Sequence, residues 1–142
     1  MWKFRKKNKT NIAEKEHYYT PPSDINPNKP SSEVTDERFE YLLEYAYEQL
    51  PKWAASRLKN VSIVVDDQFN PRLLGLFSGV PLTKQTNNHT GHTPSVITIY
   101  RETLKRYTHN ELQLYEQTRK TLFHEIGHYF GMGHDILGKH GY

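Results

Sequence analysis

Apolar positions recur at helical intervals in two stretches of the chain and gather into short β-branched runs between them. Phe39, Leu42, Leu43, Ala46, Tyr47 and Leu50 fall on one face of a predicted helix. Thr35 is placed to cap it, Asp36 and Glu37 occupy the first turn, where carboxylates suit the helix dipole, and Pro51 ends it. Residues 52–58 predict a short second helix. The run Val61-Ser62-Ile63-Val64-Val65 predicts a strand, residues 73–80 a second strand interrupted by glycines, and residues 95–100 a third. The acidic pair Asp66-Asp67 reads as a solvated strand end. Between the last two strands, residues 83–94 are polar and predict a loop. Residues 102–107 suggest a turn of helix.

The second helical pattern is longer. No proline occurs from His109 to Phe130, and Leu112, Tyr115, Leu122, Phe123, Ile126 and Phe130 recur along it. Thr108-x-x-Glu111 has the form of a capping box, and Gly131 suits the left-handed position that stops a helix. About 22 residues of helix would measure roughly 33 Å.

Composition narrows the classes open to the chain. Its 142 residues correspond to one domain. There is no cysteine, hence no disulfide framework, thiolate metal site or cysteine nucleophile. No apolar run is long enough for a membrane span, no secretory signal is expected, and the expected compartment is the cytoplasm. The formal charge of +3 is unevenly distributed. Residues 1–32 hold seven bases and three acids, and the rest holds twelve bases and thirteen acids. Residues 1–33, rich in Lys, Asn, Pro and Ser, therefore read as a disordered basic arm, and residues 34–142 as the domain. Binding of nucleic acid or an anionic surface is expected only through that arm.

The long helix carries the chemistry. It contains His124-Glu125-Ile126-Gly127-His128, followed by Tyr129-Phe130-Gly131-Met132-Gly133-His134. His124 and His128 stand at i and i+4, so their imidazoles leave the same face and can share one zinc ion. Glu125 is rotated about 100° from His124, too far to be a further ligand but able to reach a water held on the metal. On a continuous helix His134 would lie about 15 Å from His124 along the axis. A turn at Gly131 brings it back as a third ligand; Asp135 and His140 are rival candidates. The full H-E-x-x-H-x-x-G-x-x-H arrangement has a chance probability on the order of 1 in 10,000 in such a chain. His89 and His92 lie in the polar loop, and His17 and His109 read as surface residues.

With these residues in place, the chain resembles the small bacterial zincin-like metallopeptidases, which have a minimal zinc-protease fold. The resemblance runs through Phe39-Glu40-x-Leu42-Leu43, Leu50-Pro51, Asn60-Val61-x-Ile63-Val64-Val65 and Leu74-Gly75-Leu76-Phe77-x-Gly79-Val80-Pro81-Leu82-Thr83. It continues in Ile97-Thr98-Ile99-Tyr100-Arg101, in the motif region from Leu122 to Gly131 and in Gly141-Tyr142. It implies an α+β domain: a small mixed sheet of about three to four strands, packed with an N-terminal helix and a long C-terminal zinc-binding helix. It also implies Zn2+ as cofactor, His124 and His128 as ligands, and Glu125 as the catalytic carboxylate. Many relatives have Asp where this chain has His134, so the third ligand departs toward the metzincin pattern. A metzincin Met-turn is not expected, because only eight residues follow His134.

The expected function is hydrolysis of peptide bonds in a peptide or protein substrate, by a metal-bound water with Glu125 as general base. Tyr100, Arg101, His89 and His92 are candidates for stabilising the oxyanion. Two other readings remain: a zinc-bearing binding or regulatory module without turnover, and a metal-dependent RNA endonuclease. One ribosomal-RNA maturation endonuclease family shares the histidine spacing but has Gly in the place of Glu125, which disfavours the last reading. The sequence leaves the oligomeric state open.

Overall fold

The structure is a computed structural model that describes residues 2–3, 20–85 and 94–135. Four strands, β1 (Trp2–Lys3), β2 (Val61–Asp66), β3 (Gly75–Ser78) and β4 (Ser95–Tyr100), form one sheet in the order β1-β2-β4-β3. β2 and β4 pair in parallel, and β1 and β3 flank them antiparallel. Among the described residues, four α-helices accompany the sheet: α1 (Asp36–Glu48), α2 (Lys52–Ser56), α3 (Arg101–Arg106) and α4 (Glu111–Tyr129). This is the α+β arrangement expected, a small mixed sheet beside an N-terminal helix and a long C-terminal one.

The predicted face of α1 is the one buried: Phe39, Leu42, Leu43, Ala46 and Tyr47 lie in the core. Each fully buried Leu or Phe contributes about 1.5–3 kcal/mol through apolar surface removed from water. Thr35 caps the helix as expected, its hydroxyl accepting from the Arg38 N–H at 3.1 Å. Ile63, Val65, Ile97 and Ile99 from the two central strands meet Leu114, Tyr115, Leu122 and Ile126 of α4 in the same core. β4 is therefore enclosed between β2 and β3, while β3 stands at the sheet edge against α4.

The start of α4 departs from expectation. The helix begins at Glu111, and its cap is Asn110, whose side chain accepts from the Gln113 N–H. The Gln113 side chain in turn accepts from the His109 N–H. Thr108 instead bonds the Leu104 carbonyl and meets Ser31. Asn wins over Thr because its carbonyl reaches the third N–H from an extended backbone, and because Glu111 is engaged elsewhere.

That engagement also corrects the proposed extent of the disordered arm. Residues 20–33 wrap the first turn of α4. Lys29 O accepts from the Glu111 N–H, a donor the helix itself leaves orphaned. Asn26 N–H donates to Glu111 Oε1, and Arg38 spans Asp24 and Glu111. Thr20 O accepts from Gln49 Nε2 at 2.7 Å. This order arises from hydrogen bonds to residues far along the chain, so composition could not reveal it. Trp2–Lys3 adds a strand to the sheet as well. Residues 1 and 4–19, the remainder of the expected arm, lie outside the described residues.

Candidate metal centre and cleft

α4 carries a buried face and a flanking face, and the motif occupies both. Leu122, Ile126 and Tyr129 are buried, and Glu125 is 8% exposed, whereas His124 and His128 are half-buried at the cleft. The i, i+4 spacing brings the two imidazoles together, with Nε2 atoms 3.0 Å apart.

The helix stops at Phe130 through a turn that Gly131 makes possible. Gly131 has φ +87°, its N–H donates to His128 O, and the Met132 N–H reaches back to Gly127 O. This paired 5→2 and 6→1 arrangement is a Schellman motif. A side chain at Gly131 would also strike Thr83, whose Oγ1 lies 2.5 Å from where the Cβ would stand. The turn folds the chain back, and His134 arrives beside His124 and His128, with ring centroids 5.2 and 4.7 Å away. One nitrogen from each of the three rings lies within 4.8 Å of the others. Asp135 does not join this group, and its Oδ1 lies near Gly133 instead. His140 is outside the described residues, as are His17, His89 and His92.

The donor set suits zinc. A tetrahedral ion with Zn–N bonds of 2.0–2.1 Å places its ligand atoms about 3.3 Å apart, close to the separation of the two Nε2 atoms. His128 Nδ1 is 3.1 Å from Met132 O, so that nitrogen carries the proton and Nε2 is left with its lone pair facing His124. The turn thus delivers the third imidazole and fixes the tautomer of the second.

Glu125 is held from the sheet. Phe77, on the edge strand β3, donates its backbone N–H to Glu125 Oε1 at 2.9 Å, and Oε2 lies 4.0 Å from His124 Nε2. One oxygen is anchored and the other lies on the side of His124. The close approach of α4 to β3 depends on Gly75. A Cβ there would meet Thr121 Cγ2 at 2.6 Å and Glu125 Cγ at 3.3 Å. The Phe77 and Tyr129 rings pack edge to face beyond it. A cleft of about 650 Å³ opens over this group, walled by β3, by residues 79–84 and by the 131–134 turn.

The oxyanion candidates from the sequence fare differently. Arg101 is buried away from the cleft, where it pairs with Asp67 and Asp36. Asp67 is thereby an ion-pair partner as well as a strand end. Tyr100 does not line the cleft either. Phe77, Gly75, Thr83 and the Met132 carbonyl had escaped the sequence reading. Gly75, Phe77 and Thr83 lie in a segment that carries the family resemblance, and Gly75 had a physical signal as well, since a glycine inside a strand pattern marks a close approach of another segment.

The family model of the zincin-like metallopeptidases matches residues 58–142. No curated protein matches the chain closely enough to count as a relative.

Proposed function

The chain belongs to the zincin-like metallopeptidase family, and on that premise we propose that it hydrolyses peptide bonds, with a zinc ion held by His124, His128 and His134 and Glu125 as general base. The observation that carries this reading is the convergence of three imidazoles beside a carboxylate whose second oxygen lies 4.0 Å from one of them, His124. When bound, zinc supplies Lewis acidity, bringing the pKa of a water toward about 7 and polarising a carbonyl.

The chain's own residues supply the rest. The Phe77 N–H fixes Oε1, so Glu125 presents Oε2 in one orientation before substrate arrives. Oε2 accepts the proton of the attacking water and passes it to the leaving nitrogen as the C–N bond breaks. Burial of Glu125, whose side chain passes close to Gly75, limits the number of competing waters. The edge of β3 lies beside the carboxylate and can add an extended peptide as a further strand.

Metal analysis of the purified protein, combined with peptide-library cleavage, tests this. Stoichiometric zinc is expected, with a loss of activity of about a thousandfold in Glu125→Gln and zinc retained. Absence of zinc would overturn the metal reading. Zinc without cleavage, or equal cleavage by Glu125→Gln, would leave a binding module.

A further inference from the structure

The cleft does not end at Glu125. A second pocket of about 350 Å³ adjoins it, and Leu73, Gly75, His124 and Glu125 line both. Along α4, the main cleft borders His124, Glu125, His128 and the 131–134 turn, and the second pocket borders Gln117, Lys120, Thr121, His124 and Glu125. Along the sheet edge the main cleft runs on past Gly79 to Lys84, and the second pocket reaches Arg72. The two therefore flank Glu125, so a peptide lying along the strand would place residues from opposite sides of its scissile bond in them.

The charge of the second pocket is one-sided. Arg72 and Lys120 line it, Gln117 and Thr121 hydrogen-bond to each other in its wall, and Glu125 is the sole acid. Arg38, Arg101 and Arg106 each have a carboxylate partner, whereas neither Arg72 nor Lys120 has one among the described residues. Glu116, one turn before Lys120, makes no ion pair with it. In the turn before β3 the Arg72 N–H donates to Asn70 Oδ1, which holds the backbone of Arg72 at the rim; the Arg72 and Lys120 side chains are both exposed there. Two cations without a carboxylate partner among the described residues, beside a concave wall, raise the local concentration of anionic groups and reward a carboxylate with charge-assisted hydrogen bonds.

We propose that this pocket is a carboxylate-accepting substrate subsite, with Arg72 and Lys120 as its specificity-determining residues. The preferred substrates are peptides that place an acidic side chain, or the chain-terminal carboxylate, on that side of the scissile bond. This rests on the peptidase reading above, because it takes the pocket as part of the same substrate path.

The test separates the two. Fluorescent peptides of one length are bound to zinc-loaded Glu125→Gln protein. One set carries Glu or Gln at successive positions, and another ends in a free acid or an amide. The carboxylate form is expected to bind about fivefold to tenfold more tightly, with the advantage shrinking as salt rises. Arg72→Gln with Lys120→Gln should abolish the advantage while leaving affinity for the neutral peptides. The Glu/Gln and acid/amide sets show which carboxylate is read. Equal binding of the acidic and neutral members of both sets overturns the proposal, as does a preference that survives the double substitution. Cleavage of the same peptides by the wild-type chain is then scored. A carboxylate preference in binding without any cleavage keeps the pocket as a carboxylate-binding site but removes the peptidase reading, and with it the role as a substrate subsite. Cleavage indifferent to the carboxylate does the reverse.

Discussion

Glu111 and Glu125 stand fourteen positions apart on one helix, both are buried, and their surroundings are opposite. Glu111 is closed off. Arg38 donates to both of its oxygens, and the Asn26 N–H adds a third bond. Burial pushes its carboxyl up, but Arg38 and the Asn26 amide outweigh that and hold it below the usual range. Among the described residues, Glu125 has one N–H on one oxygen, no arginine partner, and a second oxygen 4.0 Å from His124, one of the three converging imidazoles. The difference separates two uses of the same side chain. A carboxylate surrounded by partners ties distant segments together, while one left half-satisfied beside converging lone pairs is available for chemistry.

The comparison can be broken at either end. The largest stability effect is expected from Arg38→Met, which strands Glu111 with only the Asn26 amide. Breaking a buried pair in this way costs about 3 kcal/mol, with zinc binding unaffected. Urea denaturation and metal analysis check both parts. Glu125→Gln should change stability by less than about 1 kcal/mol, because the amide oxygen still accepts from Phe77. A large loss of stability there would make Glu125 a structural residue like Glu111.

Next in size is Gly131→Ala. The positive φ costs about 1–2 kcal/mol, and the contact with Thr83 adds to it. Zinc affinity should fall with stability, because the same turn delivers His134. Adding Thr83→Ala should recover the steric part and leave the backbone part. Full recovery would show that φ is not the constraint.

The smallest effect concerns pH. Asp24 is held low by its hydrogen bond to Arg38, and Glu111 is also held low. A depressed carboxyl contributes stability above its unfolded pKa and loses it as pH falls through the folded value. Stability from this network should therefore be constant near neutrality and decline below about pH 4. In Arg38→Met the decline should be shallower, as read from urea midpoints across that range. An unchanged slope would remove the network as its source.

Much of the candidate site is local and so was legible. The two histidines four apart, the carboxylate between them and the glycine at the helix end depend on helix geometry that the sequence specifies directly. The apolar face of α1 and the β-branched runs of β2 and β4 were equally plain. Long-range hydrogen bonding defeated the reading elsewhere. Residues 20–33 have few apolar side chains to announce their order, and they are held by partners such as Glu111 and Gln49. The cap of α4 went to Asn110 because Thr108 and Glu111 were drawn into that same network.

Hydrophobic periodicity and motif spacing thus dictated a zinc-type histidine pair on an amphipathic helix within an α+β domain, because both depend on repeats of a few residues. Only tertiary packing decided which backbone amide holds Glu125, that Gly75 lets α4 approach the sheet edge, and that Arg72 and Lys120 stand beside the cleft. Those relations join residues tens of positions apart, and no local period encodes them.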